Sequence, residues 1–232
     1  SLEELEIIWR LHISEQRPLQ HLVGKCYWRD FELEVSRDVL IPRQETELLV
    51  DFALQKFEKD VKGIWVDLGT GSGALAIALS RSLPEWEGHA IDCSSAALSL
   101  AIRNFARLSP KSKVCFHLGD WWQPLSKWKG SIQLAIANPP YIPKSVFNKL
   151  QPIVRNHEPR LALCGGEDGL DAIRKLVSGS IEFLTSGGWL CFEHHHDQSK
   201  VALQMMVEAG FKNVSFEKDL EGVRRFGMGR KP

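Results

Sequence analysis

The sequence carries no net charge: its 29 Lys and Arg balance 29 Asp and Glu over 232 residues. No overall field is therefore available to hold a polyanion by counterion release, and nucleic-acid binding gains nothing from bulk charge. Long apolar runs are missing as well. The longest, as at 130–137, is a few residues, far short of the ~20 needed to cross a bilayer. The acidic start (Glu3, Glu4, Glu6) does not read as a signal peptide. Five cysteines, odd in number and scattered (Cys26, Cys93, Cys115, Cys164, Cys191), speak against a disulfide frame or a zinc site and for reduced, mostly buried thiols in a cytoplasmic protein. There is no Gly/Ser linker and no internal repeat. What remains is an ordinary globular composition, 44% hydrophobic and 25% charged, in a chain long enough for one generous domain or one domain and an appendage.

The hydrophobic pattern changes near Val61. Before it, Leu2, Leu5, Ile8, Trp9 and His12 have helical spacing. The stretches 26–28 and 31–35 alternate around Arg29-Asp30, where Asp tolerates positive φ, and so predict a β-hairpin. Pro42 ends that extended run, and Thr46 is placed to cap a helix over 47–57. From residue 61 onward short apolar runs alternate with helical stretches, the pattern of βαβ units around a parallel sheet. Strands are predicted at 63–68, 88–92, 114–117, 132–137, 189–193, 214–217 and 226–229, with helices near 74–82, 95–107, 170–184 and 198–209. The last two strands are joined by only Asp219 to Gly222, too few residues for a crossover helix, and should pair antiparallel. The expectation is an α/β fold: a mostly parallel sheet with a C-terminal antiparallel hairpin and helices on both faces. Residues 1–60 would form an N-terminal piece, and 61–232 the main domain.

Three strand ends carry candidate chemistry. The first strand runs into Asp67-Leu68-Gly69-Thr70-Gly71-Ser72-Gly73-Ala74 directly before a helix. Alternate glycines there permit a tight turn and let a ligand approach main-chain N–H groups. Asp92, about 20 residues on, ends the second strand and can accept hydrogen bonds from ribose hydroxyls, or cap the following helix instead. These two features do not distinguish a dinucleotide from another nucleoside ligand. The third, Asn138-Pro139-Pro140-Tyr141, narrows the choice. The prolines stiffen the segment just beyond the strand. The Asn138 side-chain oxygen and the Pro139 carbonyl can converge as two acceptors on one planar NH2 group, with Tyr141 against a planar substrate. A hydride-transfer enzyme has no use for such a pair.

In that order and position these segments resemble the Rossmann-like S-adenosylmethionine-dependent methyltransferases. The stretch Leu40-Ile41-Pro42-Arg43-Gln44-Glu45-Thr46-Glu47-Leu48-Leu49-Val50 is similar to that of the release-factor glutamine methyltransferases, the HemK/PrmC family. The likeness extends through Arg17 to Gln20, Gly119-Asp120-Trp121, Glu158 to Leu163, Gly165 to Leu170 and Lys218 to Leu220. Gln44 stands where the family has proline, Asp30 where it has a hairpin glycine, and Glu193-His194-His195-His196 where it has Glu, an apolar residue and Gly. The histidines are expected at a solvated strand end, not on a metal.

The resemblance implies methyl transfer from S-adenosyl-L-methionine, leaving S-adenosyl-L-homocysteine, to the glutamine amide of the Gly-Gly-Gln motif in peptide chain release factors. It implies cofactor binding by Gly69, Thr70, Gly71, Ser72, Gly73, Asp92, Trp121 and Asn138, and catalysis at Asn138, Pro139, Pro140 and Tyr141. Trp121 is assigned to the adenine face in preference to its neighbour Trp122, and Arg43 and Thr46 are candidates to line the cofactor pocket. Residues 1–60 then correspond to the end of a helical N-terminal domain plus a hairpin linker, and the start at Ser1 suggests a shortened chain. No membrane or direct nucleic-acid partner is expected. Two other acceptors fit the same motif: a ribosomal-protein glutamine, and the amino group of a flipped DNA or RNA base. A non-catalytic nucleoside-binding protein is the remaining alternative, although the glycine loop and the Asn-Pro-Pro-Tyr segment are both intact.

Overall fold

The structure is a computed structural model that describes residues 1–57 and 62–232; the pattern change near Val61 lies outside the described residues. Helix α1 (Leu2–Glu15) starts with a capping box on Ser1 and Glu4, buries none of its residues, and is followed by the single turn α2 (Leu19–Val23). Strands β1 (Lys25–Trp28) and β2 (Phe31–Glu34) form the predicted hairpin. At its turn Arg29, not Asp30, takes the left-handed conformation (φ 52°). Its side chain there is tied to α3 (Glu47–Leu54): Nη1 donates to the Glu47 carbonyl at 2.9 Å and Nη2 to Asp51 at 2.8 Å.

The main sheet has seven strands in the order β5-β4-β3-β6-β7-β9-β8. They are β3 (Ile64–Leu68), β4 (Glu87–Asp92), β5 (Val114–Leu118), β6 (Ile132–Ala137), β7 (Leu184–Glu193), β8 (Lys212–Lys218) and β9 (Arg224–Arg230). The first five pair in parallel; β9 pairs antiparallel with both β7 and β8. The crossovers carry α4 (Ala74–Ser82), α5 (Ser95–Leu108), α9 (Asp171–Phe183) and α10 (Ser199–Glu208). Strand β7 begins five residues earlier than the predicted start at Trp189, and accommodates Gly187 and Gly188 inside it. Between β6 and α9 the chain makes three four-residue helices, α6 (Lys144–Phe147), α7 (Pro152–Arg155) and α8 (Arg160–Leu163), too short for a helical period to register.

One face of the sheet and the N-terminal segment share a core. Trp28, Phe31 and Leu33 of the hairpin and Leu49, Val50 and Ala53 of α3 pack with Trp65, Leu79, Leu134 and Ile136. Asn104 of α5 joins hairpin to glycine loop: it is fully buried, accepts the Glu34 amide at 2.8 Å, and donates to the Glu34 and Ser72 carbonyls, both at 2.9 Å. The opposite face packs Val66, Leu68, Ile91, Ile132 and Leu190 against α9 and α10. Among the described residues no helix is long and apolar enough to cross a membrane.

Candidate active site

Strand order reverses between β4 and β6 on either side of β3, so the carboxyl ends of these strands diverge and leave a crevice. A cavity of about 430 Å³ lies there, within the usual range for small-molecule sites. Gly69, Thr70, Gly71, Ser72, Asp92, Trp121, Asn138 and Pro140 line it, as do Thr46 and Gly165. Gly73, Pro139 and Tyr141, expected in the same group, are not among its lining residues.

The glycine loop is held by its own neighbourhood. The Gly69 and Thr70 amides both donate to the Ile91 carbonyl at 2.9 Å, and the Gly71 amide donates to Asp92 Oδ2 at 2.9 Å. Gly69 and Gly71 have φ of 82° and 55°, a region closed to most side chains. Gly73 also has positive φ, but a Cβ there would meet Ala101 of α5 at 3.3 Å, so its smallness serves the packing of α4 on α5. Asp67, completely buried, accepts from Thr70 Oγ1 at 2.6 Å and the Ala76 amide at 3.1 Å. Burial, only partly offset by these donors, pushes its pKa up to about 7. Asp92 does not cap α5; Ser94 does, accepting the Ala97 amide at 3.2 Å. The Asp92 oxygens instead bridge the Gly71 and Ser94 amides, and burial raises this carboxyl too.

Of the adjacent tryptophans, Trp122 enters the core: it stacks on Phe183 at 5.1 Å and donates to the Lys175 carbonyl at 3.2 Å. Trp121 adopts a left-handed φ of 49°, a conformation that costs a bulky residue roughly 1–3 kcal/mol. It turns its ring toward the loop, so that a Cβ on Gly69 would meet it at 3.8 Å.

At the other end of the cavity the contacts are long in sequence. Asn138 Nδ2 donates to Thr46 Oγ1 at 3.0 Å, Thr46 Oγ1 donates to Glu193 Oε2 at 2.7 Å, and Tyr141 Oη donates to Glu193 Oε1 at 2.9 Å. Thr46 therefore makes no side-chain cap on α3. Its hydroxyl is taken by a carboxylate that the sequence reading passed over. Burial pushes Glu193 up, against the pull of its two hydroxyl donors, and burial beside Glu193 raises Tyr141 well above the usual phenol range.

Arg43 pairs neither with Glu45 nor Glu47 and is not a cavity-lining residue. It clasps the buried Glu158 at 2.6 Å, while the other Glu158 oxygen accepts the Ile41 amide at 3.1 Å. Arg160 lies over Phe147, 4.7 Å from the ring centre. Beyond Asn138 the chain is stapled to the 163–169 segment. The Ile142 amide donates to the Leu163 carbonyl and the Gly165 amide to the Ile142 carbonyl, both at 2.9 Å, and Gln198 Nε2 reaches the Tyr141 and Gly169 carbonyls at 2.9 and 3.1 Å. The expected solvated histidines are mixed: His194 is buried, with Nδ1 on the His195 carbonyl at 2.9 Å, while His195 pairs with Asp197 at 2.7 Å. Among the described residues no cluster of His, Cys, Asp and Glu is arranged to hold a metal ion. Cys26 and Cys191 are buried, Cys164 is half-buried, and Cys93 and Cys115 are exposed.

Residues 44–166 match the methyltransferase small domain family. A release factor glutamine methyltransferase of Prochlorococcus marinus is 58% identical over 234 residues, matching all of this chain and 80% of the relative. The chain belongs to the release factor glutamine methyltransferase family. A second relative of that name, from Thermosynechococcus vestitus, is 43% identical over 233 residues, again across all of this chain and 80% of the relative. Among solved structures, a methyltransferase from Pyrococcus furiosus superposes with a TM-score of 0.61 over 100% of this chain and 98% of that one, at 16% identity, a likeness of fold. For a release factor glutamine methyltransferase the informative misses are the role of Glu193, which takes the hydroxyls of Thr46 and Tyr141, and that of Gln198. Of these only Glu193 left a sequence signal: an acidic residue closing an apolar strand.

Proposed function

We propose that this enzyme methylates the side-chain amide nitrogen of the glutamine in the Gly-Gly-Gln motif of peptide chain release factors, with S-adenosyl-L-methionine as donor, in the cytoplasm. The observation that carries this reading is the position of Asn138, at one wall of the same cavity as the glycine loop, with its amide NH2 turned away to Thr46. The residues present fit the cofactor. The glycine loop leaves open space over Gly71, where a Cβ would meet nothing within 4 Å. Asp92 offers a carboxylate whose oxygens keep lone pairs beyond their backbone donors, suited to ribose hydroxyls. Trp121 offers an aromatic face suited to adenine. In this reading Gly69 to Ser72 hold the methionine part, Asp92 the ribose and Trp121 the base.

When bound, the cofactor supplies a sulfonium methyl, a strong electrophile. The amide nitrogen is a weak nucleophile because its lone pair is shared with the carbonyl, so the protein's task is alignment, which is worth up to roughly 7–11 kcal/mol in favourable cases. In this reading Asn138 Oδ1, at the cavity wall, accepts one N–H bond of the acceptor, and the carbonyl of Pro139, between the lining residues Asn138 and Pro140, accepts the other. They orient its lone pair and stabilise positive charge that develops on nitrogen. Tyr141, its hydroxyl held by Glu193, and the staple from Ile142 to Gly165 keep that short segment rigid. No general base is needed at the outset; the methylated nitrogen is acidic and loses its proton late, through Asn138 or to water.

The test is a labelled-methyl transfer assay read by mass spectrometry, with a release factor, its Gly-Gly-Gln to Gly-Gly-Ala form, and DNA as acceptors. One added methyl on the Gln form alone is expected. Label on DNA, or equal label on the Ala form, would overturn the reading.

A further inference from the structure

Thr46 precedes α3, Asn138 and Tyr141 follow β6, and Glu193 ends β7, yet the four form one hydrogen-bond chain. Its direction is determined by proton counting. A threonine hydroxyl has one hydrogen and two lone pairs, and an ionised carboxylate only accepts. Glu193 is 2% exposed and accepts from Thr46 on one oxygen and from Tyr141 on the other. Burial raises the Glu193 carboxyl; the two hydroxyls it accepts from, and Arg225 of β9, ion-paired to the buried Asp219, pull the other way, toward the ionised acceptor that this geometry requires. With its hydrogen committed to Glu193, Thr46 can only accept from Asn138. The group it faces must be the NH2, and Oδ1 is left for the cavity; among the described residues no donor reaches that oxygen.

We infer that Glu193, acting through Thr46, is a positioning residue that fixes the amide of Asn138 oxygen-outward and so makes the site select a side chain bearing NH2 over one bearing a carboxylate. The inference rests on the glutamine-amide reading above. Its consequence is specific. With glutamine at 193 the chain can run backwards: an NH2 at 193 donates to Thr46, Thr46 donates to Asn138 Oδ1, and the Asn138 NH2 faces the cavity. That arrangement repels an amide NH2 and accepts a carboxylate. Thr46→Val removes the link without reversing it, and leaves Asn138 free to occupy either orientation.

The experiment compares wild type with Glu193→Gln, Thr46→Val and Thr46→Ser. It measures kcat and KM for a release factor, the Kd of the same factor with Gly-Gly-Glu in place of Gly-Gly-Gln, and cofactor affinity by calorimetry. Wild type should favour the Gln form. Glu193→Gln should shrink the Gln-to-Glu preference by at least about tenfold, the scale expected when a buried polar group is mismatched to its ligand. Thr46→Val should lower kcat roughly 10- to 100-fold at saturating cofactor, and Thr46→Ser, which keeps the hydroxyl, should recover most of that loss. An unchanged Gln-to-Glu ratio in both Glu193→Gln and Thr46→Val overturns the inference while leaving the proposed activity standing. Absence of methyl transfer by wild type overturns the activity and the inference with it. Should Glu193→Gln fail to fold, as judged by circular dichroism and cofactor binding, the Thr46 pair decides alone: equal kcat for Val and Ser refutes the assignment.

Discussion

The two ends of the cavity are built in different ways. At the cofactor end, the loop 69–73 is held by the adjacent strand: its amides bond to Ile91 and Asp92, and its own positive-φ glycines make the turn. At the end proposed to take the acceptor, the side-chain contacts join distant segments, Asn138 to Thr46, Thr46 to Glu193, Arg43 to Glu158. The amide bonds of the glycine loop lie within one βαβ unit, with one further tie from Asn104 of α5 to the Ser72 carbonyl. An acceptor site assembled from four segments exists only once the whole sheet and its N-terminal cover are in place, so damage at one end should separate cleanly from damage at the other.

The sharpest break is Asn138→Ala. It should lower kcat roughly 100- to 1000-fold, the scale of losing one preorganised polar contact to developing charge, while calorimetric cofactor affinity stays within error. Comparable turnover would mean that the two ends are not separable as described. Next is Glu158→Ala, which orphans the Ile41 amide and the Arg43 guanidinium. Arg43 is about a third exposed, so water takes up part of the loss, and about 1–3 kcal/mol of stability should disappear in denaturant titrations.

Asp92→Ala should act on the opposite end. Cofactor affinity should weaken by about 1–3 kcal/mol, the range for hydrogen bonds to a charged group. At saturating cofactor, kcat should change little. A large kcat defect at saturation would join the two ends again.

The smallest effect, over any single pH unit, concerns Asp67. Its pKa is about 7 folded and near 3.9 unfolded. Between these values the native state holds a proton that the unfolded chain has lost. This group therefore makes stability fall as pH rises from about 4 to about 7, by at most about 1.4 kcal/mol per unit, and contributes no slope above that. Burial depresses His89 to about 4, and it tilts stability the other way below about 6.5. His89 is present in both proteins, so the difference between wild type and Asp67→Asn isolates the carboxyl. Parallel stability curves from pH 5 to 7 would contradict the assignment.

Legibility followed the same division. The parallel strands, the glycine loop and the terminal hairpin left local patterns, and their predicted positions agree with the structure to within a few residues, β7 excepted. Thr46 illustrates the opposite case. Its place before a helical run reads as an N-cap, the local optimum, but a buried carboxylate at the end of β7 is the stronger acceptor and takes the hydroxyl. Arg29 likewise takes the left-handed turn position that Asp30 suits better by itself, and there its guanidinium is bonded to α3. Trp121 and Trp122 cannot be told apart by composition; a single strained φ sends one to the cavity and the other to the core.

The order of strands and helices, the tight glycine turn after β3 and the stiff Asn-Pro-Pro-Tyr segment were determined by the sequence alone, because each depends on residues a few positions apart. Which atom of Asn138 faces the cavity was decided only by the tertiary structure. That choice is made by hydrogen bonds spanning 92 and 147 residues, and a hydrogen bond between such distant positions imposes no periodicity on the chain that could announce it.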